Sequence, residues 1–482
     1  MSKPSKTRRT MRAMDDRLGT GHLLRNQLNK IFPDHWSFML GEIALYTFAI
    51  LIVTGTFLTF FFHASEHDIR YHGSYLPLQH VRMSEAYESV IHITFDIRAG
   101  LLIRQIHHWA ALLFVAAIVL HMCRIFFTGA FRKPREMNWI IGVTLAILAI
   151  VEGFAGYSLP DDLLSGTGVR IAYSILESIP WVGPYLATFI FNGQYPGAEA
   201  FIPRLYILHV LLIPGLMLVL ITAHLMAVWH QKHTQFPKEG YQERNVVGSH
   251  IWPNYTMKSQ GLFFMIFGVL ALLAAYAQIN PIWLYGPYDP AVVSAGSQPD
   301  WYMFWLEGSL RLMPHLESRF LGHTIPWNVF VPAVVLPVLL FVMIYAHPFV
   351  ERLLTRDHEP HELLQRPRYH PFRTGVGIAV LVFYVVLSVA GANDVIPFTF
   401  GLDMMDFTWA MRVLLIIAPP LSFLATHKIC TRLQAAAERA ELAPPPDAVL
   451  TMVADSHYAV VPHQERVAAP SAPPGGSDSP EG

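Results

Sequence analysis

The chain has 482 residues, of which 53% are hydrophobic and only 14% are charged. Charged residues make up about a quarter of an ordinary soluble domain, so the composition excludes a string of soluble domains and favours a bundle of membrane helices. The formal net charge of −1 gives no reason to expect a nucleic-acid partner. The two cysteines, Cys123 and Cys430, exclude a disulfide framework and a Cys-x-x-Cys redox motif.

Eight segments have roughly the 20 apolar residues that a helix needs to cross a bilayer. We name them spans A to H, and they centre on residues 38–62, 104–127, 138–158, 205–229, 261–279, 327–347, 374–391 and 408–425. Residues 1–36 form a basic arm that lacks the apolar core of a cleavable signal peptide. The region 431–482 is predicted to be a largely disordered tail, because Pro, Ala, Ser and Gly dominate it from about Ala443 onward.

Lysine and arginine are distributed unevenly between the two sets of loops. With both termini on one side, 25 of the 34 basic residues fall on that side and 7 on the other. Because positive charge is retained in the cytoplasm, both termini are predicted to be cytoplasmic. The three opposite loops, 63–99, 160–203 and 280–326, are long, and long loops in a compact protein are typical of partner or ligand sites.

Spans B and D each carry two histidines at membrane depth, where imidazole is costly. His107 and His121 are 14 residues apart, which places them about 40° from eclipsed on one helix face and about 21 Å apart along the axis. His209 and His224 are 15 residues apart, about 60° from eclipsed. Because the two spans run parallel, His107 pairs with His209 near the outer side and His121 with His224 near the inner side, whereas His108 is predicted to point away.

A single pair would also fit hydrogen-bonded core histidines, but two level pairs predict two bis-histidine iron sites. Two imidazoles leave the tetrahedron of zinc unfilled, whereas haem supplies four nitrogens and takes two axial ligands. No Cys-x-x-Cys-His motif is present, so each haem would be bound without a covalent bond. Small residues at the same 14-residue interval provide flat space in spans A and C: Gly41, Gly55, Gly142 and Gly156.

Each haem level also has an arginine. Arg104 precedes His107 by three residues, and Arg124 follows His121 by three. A guanidinium suits the two oxygens of a carboxylate, so both are candidate ligands of haem propionates. The alternative is that both side chains simply reach the membrane interface.

The pattern resembles cytochrome b, the membrane subunit of the cytochrome bc complexes, over roughly residues 30–425. Beyond the histidines and glycines, the resemblance depends on Arg204, Pro214, GYSLP at 156–160, SIPWVG at 178–183 and PDWY at 299–302. The 15-residue interval in span D departs from the mitochondrial type, and GYSLPDDLLSGTG and VWHQKHTQFP are similar to the actinobacterial branch.

The resemblance implies an all-α membrane protein with eight transmembrane helices, in which a four-helix bundle of spans A–D (37–230) encloses two haems. Residues 231–430 would hold spans E–H and an outer quinol-site loop at 280–326. Quinol, with menaquinol implied by the actinobacterial branch, would be oxidised at an outer site. One electron would pass to a Rieske iron–sulfur subunit and one through two b haems to a quinone at an inner site, with proton translocation.

The resemblance also implies residue roles and partners. At the outer site Asp300 or Glu307 would accept a proton, with Tyr302 beside them and Tyr157, Pro299 and Trp301 lining the quinol pocket; a plain turn with interfacial aromatics is the alternative for PDWY. A cytochrome c subunit, a dimer of the complex, membrane lipid and a supercomplex with a terminal oxidase are expected partners, in a bacterial plasma membrane.

The inner quinone site is predicted from residues at the inner level, which also satisfy the positive-inside rule: Trp36, His230, Lys232 and His233. Ser259, after YTMK at 255–258, stands where the mitochondrial pattern has an inner-site aspartate, which leaves proton delivery by that route in doubt. Glu42 and Glu152 fall in or near apolar spans, as members of a proton path or as helix caps.

Three alternatives remain open from the sequence. A di-haem membrane anchor of another quinol dehydrogenase would not require PDWY or the long outer loops. A haem-free proton-coupled transporter would leave the matched glycine intervals unexplained. A purely structural subunit would have no reason to keep ionisable residues at membrane depth.

Overall fold

The computed structural model describes Arg17 and residues 27–193, 195–196, 199–292, 298–442, 448–454 and 457–462. Within these residues eight helices are long and apolar enough to cross a membrane, which confirms the eight predicted spans. Spans A to H comprise Trp36–Thr59, Gly100–Phe127, Glu136–Ser158, Phe201–Gln231, Ile251–Tyr276, Trp327–Thr355, Pro371–Ala390 and Met404–Arg439. Span E begins ten residues earlier than predicted, because the helix continues through the polar residues of YTMKSQ.

Spans A to D surround a shared apolar core. Span A packs along span B, and span C packs along span D. One buried side chain from each span meets at the centre: Phe48, Phe114, Leu145 and Met217. In each span this residue lies between the two histidine or glycine positions, so apolar packing separates an upper and a lower level of the bundle. Span E packs against spans A and B, and spans G and H pack against each other.

We call the face formed by the loops between spans A and B, C and D, and E and F the outer face, and the opposite face the inner face. In the part of the chain that the structure describes, six α-helices lie outside the spans, and these are α1 Glu85–Phe95, α2 Leu163–Glu177, α3 Gly183–Phe191, α4 Ile282–Tyr285, α5 Phe304–Leu312 and α6 Val395–Phe400. The side chain of Asp162 caps α2 by accepting bonds from the backbone of Leu164 and Ser165.

The described strands form four antiparallel two-stranded ribbons. These strands are β1 Ile31–Phe32, β2 Asp68–Arg70, β3 Arg82–Ser84, β4 Ser249–His250, β5 Glu317–Phe320, β6 His323–Pro326, β7 Ala448–Ala454 and β8 His457–Pro462. β1 pairs with β4, which ties the N-terminal arm to the start of span E at the inner face.

The C-terminal region differs from its prediction. The helix of span H continues to Leu442, so it does not end near residue 430. The prediction of a disordered tail is wrong for β7 and β8, which pair with each other, because VLTMV and YAVV contain the β-branched and aromatic residues that favour strands. Residues 463–482 lie outside the described residues.

Candidate functional site

The structure brings the four predicted histidines together in two pairs. The ring centroids of His107 and His209 are 6.2 Å apart, and those of His121 and His224 are 6.4 Å apart. In each pair the rings are close to perpendicular, at 82° and 72°. Neither pair belongs to a group of three or more His, Cys, Asp or Glu side chains fit for a bare metal ion, and the described residues contain no such group. Paired imidazoles without further protein ligands fit the axial positions of haem iron.

Each of the four glycines lies against one of these rings. A methyl group added at Gly156 would lie 2.4 Å from His209, and one at Gly55 would lie 3.1 Å from His107. At the inner level the corresponding distances are 3.2 Å from Gly41 to His121 and 3.7 Å from Gly142 to His224. The glycines therefore let the imidazole rings lie close to spans A and C, which leaves the space between the paired rings for a flat macrocycle.

The two predicted arginines are buried with unused donors. Within the described part of the chain, Nε and Nη2 of both Arg104 and Arg124 are buried without a hydrogen-bond partner. An unpaired buried donor on a charged group costs more than about 1–3 kcal/mol, so an anion bound to either arginine would be stabilising. Haem propionates would accept these hydrogen bonds at both levels.

Two cavities occupy the two levels. The outer one, about 460 Å³, is lined by both outer histidines and Arg104, and it extends to Tyr157 and Asp300. The inner one, about 110 Å³, is lined by both inner histidines and Arg124. The residues present thus fit a haem at each level, where the arginine of that level would bind its propionates.

Polar side chains lie beside both outer histidines. The hydroxyl of Thr54 lies 2.9 Å from Nδ1 of His107, and a carboxylate oxygen of Glu152 lies 3.0 Å from Nδ1 of His209. Contacts of this kind can set the direction and tautomer of a metal-ligating imidazole. Glu152, whose role the sequence left open, therefore lies beside His209.

Asp300 and Tyr302 form a polar cluster with His108. Nε2 of His108 lies 3.0 and 3.1 Å from the two carboxylate oxygens of Asp300, and the phenol of Tyr302 donates to Asp300 over 3.4 Å. A methyl group added at Gly153 would lie 2.5 Å from the Tyr302 hydroxyl, so span C makes room for this ring. Burial and Asp300 raise the pKa of Tyr302, which keeps the phenol protonated.

His108 was missed as a site residue because its orientation was judged only against His121. The relevant signal is that His108 is the next residue after His107, so its side chain is rotated by about 100° around the helix axis. In that direction lies the PDWY segment. Within that segment Trp301 packs on the central core of the bundle and edge-on to Tyr302 at 6.1 Å between centroids. Pro299 directly precedes Asp300.

Glu307 lies on α5, apart from this cluster. Arg311 donates to its carboxylate and also pairs with Asp394 at 2.8 Å. Burial raises the pKa of Glu307, although Arg311 opposes the shift. Of the two predicted proton acceptors, the structure brings only Asp300 to the outer cavity.

The predicted inner-site residues converge only in part. Trp36 is 71% exposed, His230 is exposed, and Lys232 lies 3.9 Å from Glu362. Lys232 and His233 line the inner cavity. Burial and the charges of Arg124, Arg135 and Lys30 lower the pKa of His233 to about 4, so its imidazole is neutral near pH 7.

An eight-span helical bundle with paired histidines at two levels defines a membrane cytochrome of the b type. The family model "Cytochrome b(N-terminal)/b6/petB" matches residues 112–287. The chain is 51% identical to the cytochrome bc1 complex cytochrome b subunit of Streptomyces coelicolor, over 87% of this chain and 77% of that protein. It is 52% identical to the subunit of the same name from Mycobacterium tuberculosis, over 87% and 76%.

The fold is also that of a solved structure titled "Hyperthermophilic respiratory Complex III", with a TM-score of 0.64 and 22% identity over 86% of this chain and 99% of that one. The chain belongs to the family of cytochrome b subunits of the cytochrome bc1 complex, and it is a component of a quinol–cytochrome c oxidoreductase. The resemblance and its actinobacterial branch are confirmed. Haem b and quinone binding, and a multi-pass membrane location, follow from the family.

Proposed function

We propose that this subunit oxidises menaquinol at its outer face and reduces a quinone at its inner face, with two non-covalent b haems between the two sites. The observation that carries the proposal is the pairing of four imidazoles at two levels of one bundle. The levels are 14 residues apart along span B, which is about 21 Å of helix. His107 and His209 would hold the outer haem, and His121 and His224 the inner one.

Bound haem would supply reversible one-electron transfer. The chain's own contribution would be to hold it: the paired histidines would bind the iron, the glycines make room for the imidazoles, and Arg104 and Arg124 would bind the propionates. The apolar core between the two levels excludes water from the path.

At the outer face the chain would accept a proton from the quinol. A quinol releases two electrons and two protons on oxidation. Asp300, oriented by His108 and Tyr302, would accept one of the protons and pass it to the outer solution. Tyr157, Pro299 and Trp301 would line the pocket. At the inner face Trp36, His230 and Lys232 remain the proposed quinone residues.

The partners follow from what the chain lacks and from its family. Neither Cys123 nor Cys430 lies in a motif for an iron–sulfur cluster or a covalent c haem. A Rieske subunit would therefore take the first electron and a cytochrome c subunit would receive it next. We further propose a dimeric complex, a supercomplex with a terminal oxidase, and cytoplasmic termini in a bacterial plasma membrane, the last supported by the uneven distribution of basic residues.

The test is steady-state reduction of cytochrome c by the purified complex, with menaquinol and ubiquinol analogues compared at equal concentration. The proposal expects a higher kcat/KM with the menaquinol analogue. Equal or better use of ubiquinol would contradict the substrate assignment, and no quinol oxidation by a haem-loaded complex would contradict the function.

A further inference from the structure

Glu42 is an ionisable side chain inside span A that neither the haem positions nor the outer site uses. The hydroxyl of Tyr255 donates to one of its carboxylate oxygens, and the hydroxyl of Ser259 donates to the other over 2.8 Å. The phenol of Tyr46 is in turn hydrogen-bonded to Ser259. Among the residues that the structure describes, no Lys, Arg or His forms an ion pair with Glu42. An ionisable group at membrane depth is costly and is a functional candidate by default.

The position of Glu42 links it to the inner haem level. The preceding residue, Gly41, lies against the imidazole of His121. From span B the charged groups near this end of span A are therefore His121, at Gly41, and Arg124, which lies 4.5 Å from the ring of Phe38. Neither of them contacts the Glu42 carboxylate.

The same cluster reaches the inner surface. Lys258, next to Ser259 in the chain, forms an ion pair with Asp34, and both side chains are about half exposed, at 59% and 48%. The ring of Tyr255 packs on Phe32 of β1 at 5.1 Å between centroids. Polar groups thus run from the water-exposed inner face to a carboxylate at the level of the inner histidine pair.

Among the described residues, the hydrogen-bond partners of Glu42 are hydroxyl groups. Such partners suit proton exchange better than ion pairing. A hydroxyl both donates and accepts a hydrogen bond, so Tyr255 and Ser259 can pass a proton to or from Glu42 in either direction. A fixed cation would instead hold the carboxylate ionised. The bonds also join span A to span E, so a purely structural role is the alternative that an experiment has to separate.

We propose that Glu42 is a proton-relay residue that supplies, through Tyr255 and Ser259, protons taken from the inner solution to the quinone reduced at the inner face. This inference rests on the proposed function. Reduction of one quinone to quinol consumes two electrons, delivered singly from the inner haem position over two turnovers of the outer site, and two protons from the inner side. With each of the two electrons, Glu42 gives up one proton toward a quinone oxygen and regains one from the inner solution, so two protons are delivered and Glu42 ends the cycle unchanged.

The decisive variants move the carboxylate without removing the hydrogen bonds. Glu42→Gln keeps the size and both hydrogen-bond contacts but carries no exchangeable acid. The double variant Glu42→Ser with Ser259→Asp places a carboxylate on span E and a hydroxyl on span A. Glu136→Gln is the matched control, since Glu136 is a carboxylate at the inner end of span C whose partner is Arg352 at 3.0 Å.

The experiment uses the purified complex with its outer site inhibited and its haems reduced by limiting dithionite. The complex is mixed with 2,3-dimethyl-1,4-naphthoquinone, and the oxidation of the inner haem is followed by stopped-flow absorbance. We expect Glu42→Gln to slow this oxidation by at least about 10-fold with haem content unchanged, the double variant to recover most of the rate, and Glu136→Gln to match the parent chain. In redox-induced infrared difference spectra, Glu42→Gln should lose a carboxyl band that shifts in D₂O.

A Glu42→Gln complex with the parent rate would overturn the relay, and so would a well-folded double variant as slow as the single one, because a relocated acid would then not replace Glu42. If Glu42→Gln fails to assemble, the double variant decides, since a rate near that of the parent supports the relay and a slow, well-folded double variant overturns it. Absence of haem or of inner-site oxidation in the parent complex would instead contradict the proposed function, so the two failures are distinguishable.

Discussion

His108 lies 3.0 Å from Asp300, so the residue that follows His107 holds the carboxylate of the PDWY segment. This contact joins span B to the loop between spans E and F and places Asp300 in the lining of the outer cavity. The phenol of Tyr302 donates to the same carboxylate over 3.4 Å. The arrangement places a carboxylate in the same cavity as the outer histidine pair.

Asp300→Asn should lower kcat for cytochrome c reduction by about 100-fold, the size typical of lost general base catalysis, and leave the reduced haem spectrum unchanged. The matched control is Glu307→Gln, whose carboxylate is bonded to Arg311 and should affect kcat less. Steady-state assays of both variants check this. A slower Glu307→Gln than Asp300→Asn would show that the acceptor lies on α5.

Gly156→Ala and Gly142→Ala should differ in haem retention. The new methyl group would lie 2.4 Å from the His209 ring in the first variant but 3.7 Å from the His224 ring in the second. We expect Gly156→Ala to lose the outer haem and Gly142→Ala to keep both. Haem per polypeptide, measured as the pyridine haemochrome, tests the difference. Equal haem content in the two variants would mean that the glycines do not border the macrocycles.

Arg104→Gln and Arg124→Gln should each lower the midpoint potential of the haem at their own level. A nearby positive charge favours the reduced, less positive haem, and removing it is expected to cost about 60 mV, equivalent to about 1.4 kcal/mol for one electron. Potentiometric titration of the two b-type absorbance bands measures the shift. Unchanged potentials would leave both arginines as interfacial residues without a propionate contact.

Asp161 and Glu66 should make the outer loops less stable at high pH. Burial raises the pKa of both carboxyls to about 7, and Asp162 and Asp161 respectively add to the shift. The folded chain therefore binds more protons than the unfolded chain between about pH 4 and 7, so stability is greatest below this window and falls as pH rises through it.

Asp161→Asn removes this penalty at one position and tolerates the left-handed backbone there, where φ is +53°. We expect the variant complex to unfold at a higher temperature than the parent at pH 8 and at a similar temperature at pH 4.5, by scanning fluorimetry. Glu317→Gln, at an exposed outer-loop carboxylate that lies 3.5 Å from His315, serves as the control. A variant with the parent's melting temperature at pH 8 would contradict the assignment.

The sequence predicted the parts of the site that depend on local spacing. Apolar length defines a span, and the 14- and 15-residue intervals place His107, His121, His209 and His224 on helix faces before any packing is known. The positions of the glycines and arginines relative to the histidines follow from the same spacing of residues along a helix. These features need only the geometry of single helices and their parallel or antiparallel order.

Contacts between loops and spans could not be derived in this way. The bond between His108 and Asp300 joins residues 192 positions apart, and the ion pair of Arg311 with Asp394 depends on how α5 packs near the end of span G. The Glu42 cluster includes Tyr255 and Ser259 from the polar start of span E. The hydropathy pattern did not place this segment in the predicted helix. Position along the chain placed the inner-site residues at a common level, but of these residues only Lys232 and His233 line the inner cavity.

The most direct test is the dithionite-reduced minus oxidised spectrum of the purified chain, with haem per polypeptide, for the parent and for His121→Ala. We expect two non-covalent b haems in the parent and one in the variant, with the outer haem retained. A single haem in the parent, or two in the variant, would contradict the assignment of two levels of paired histidines.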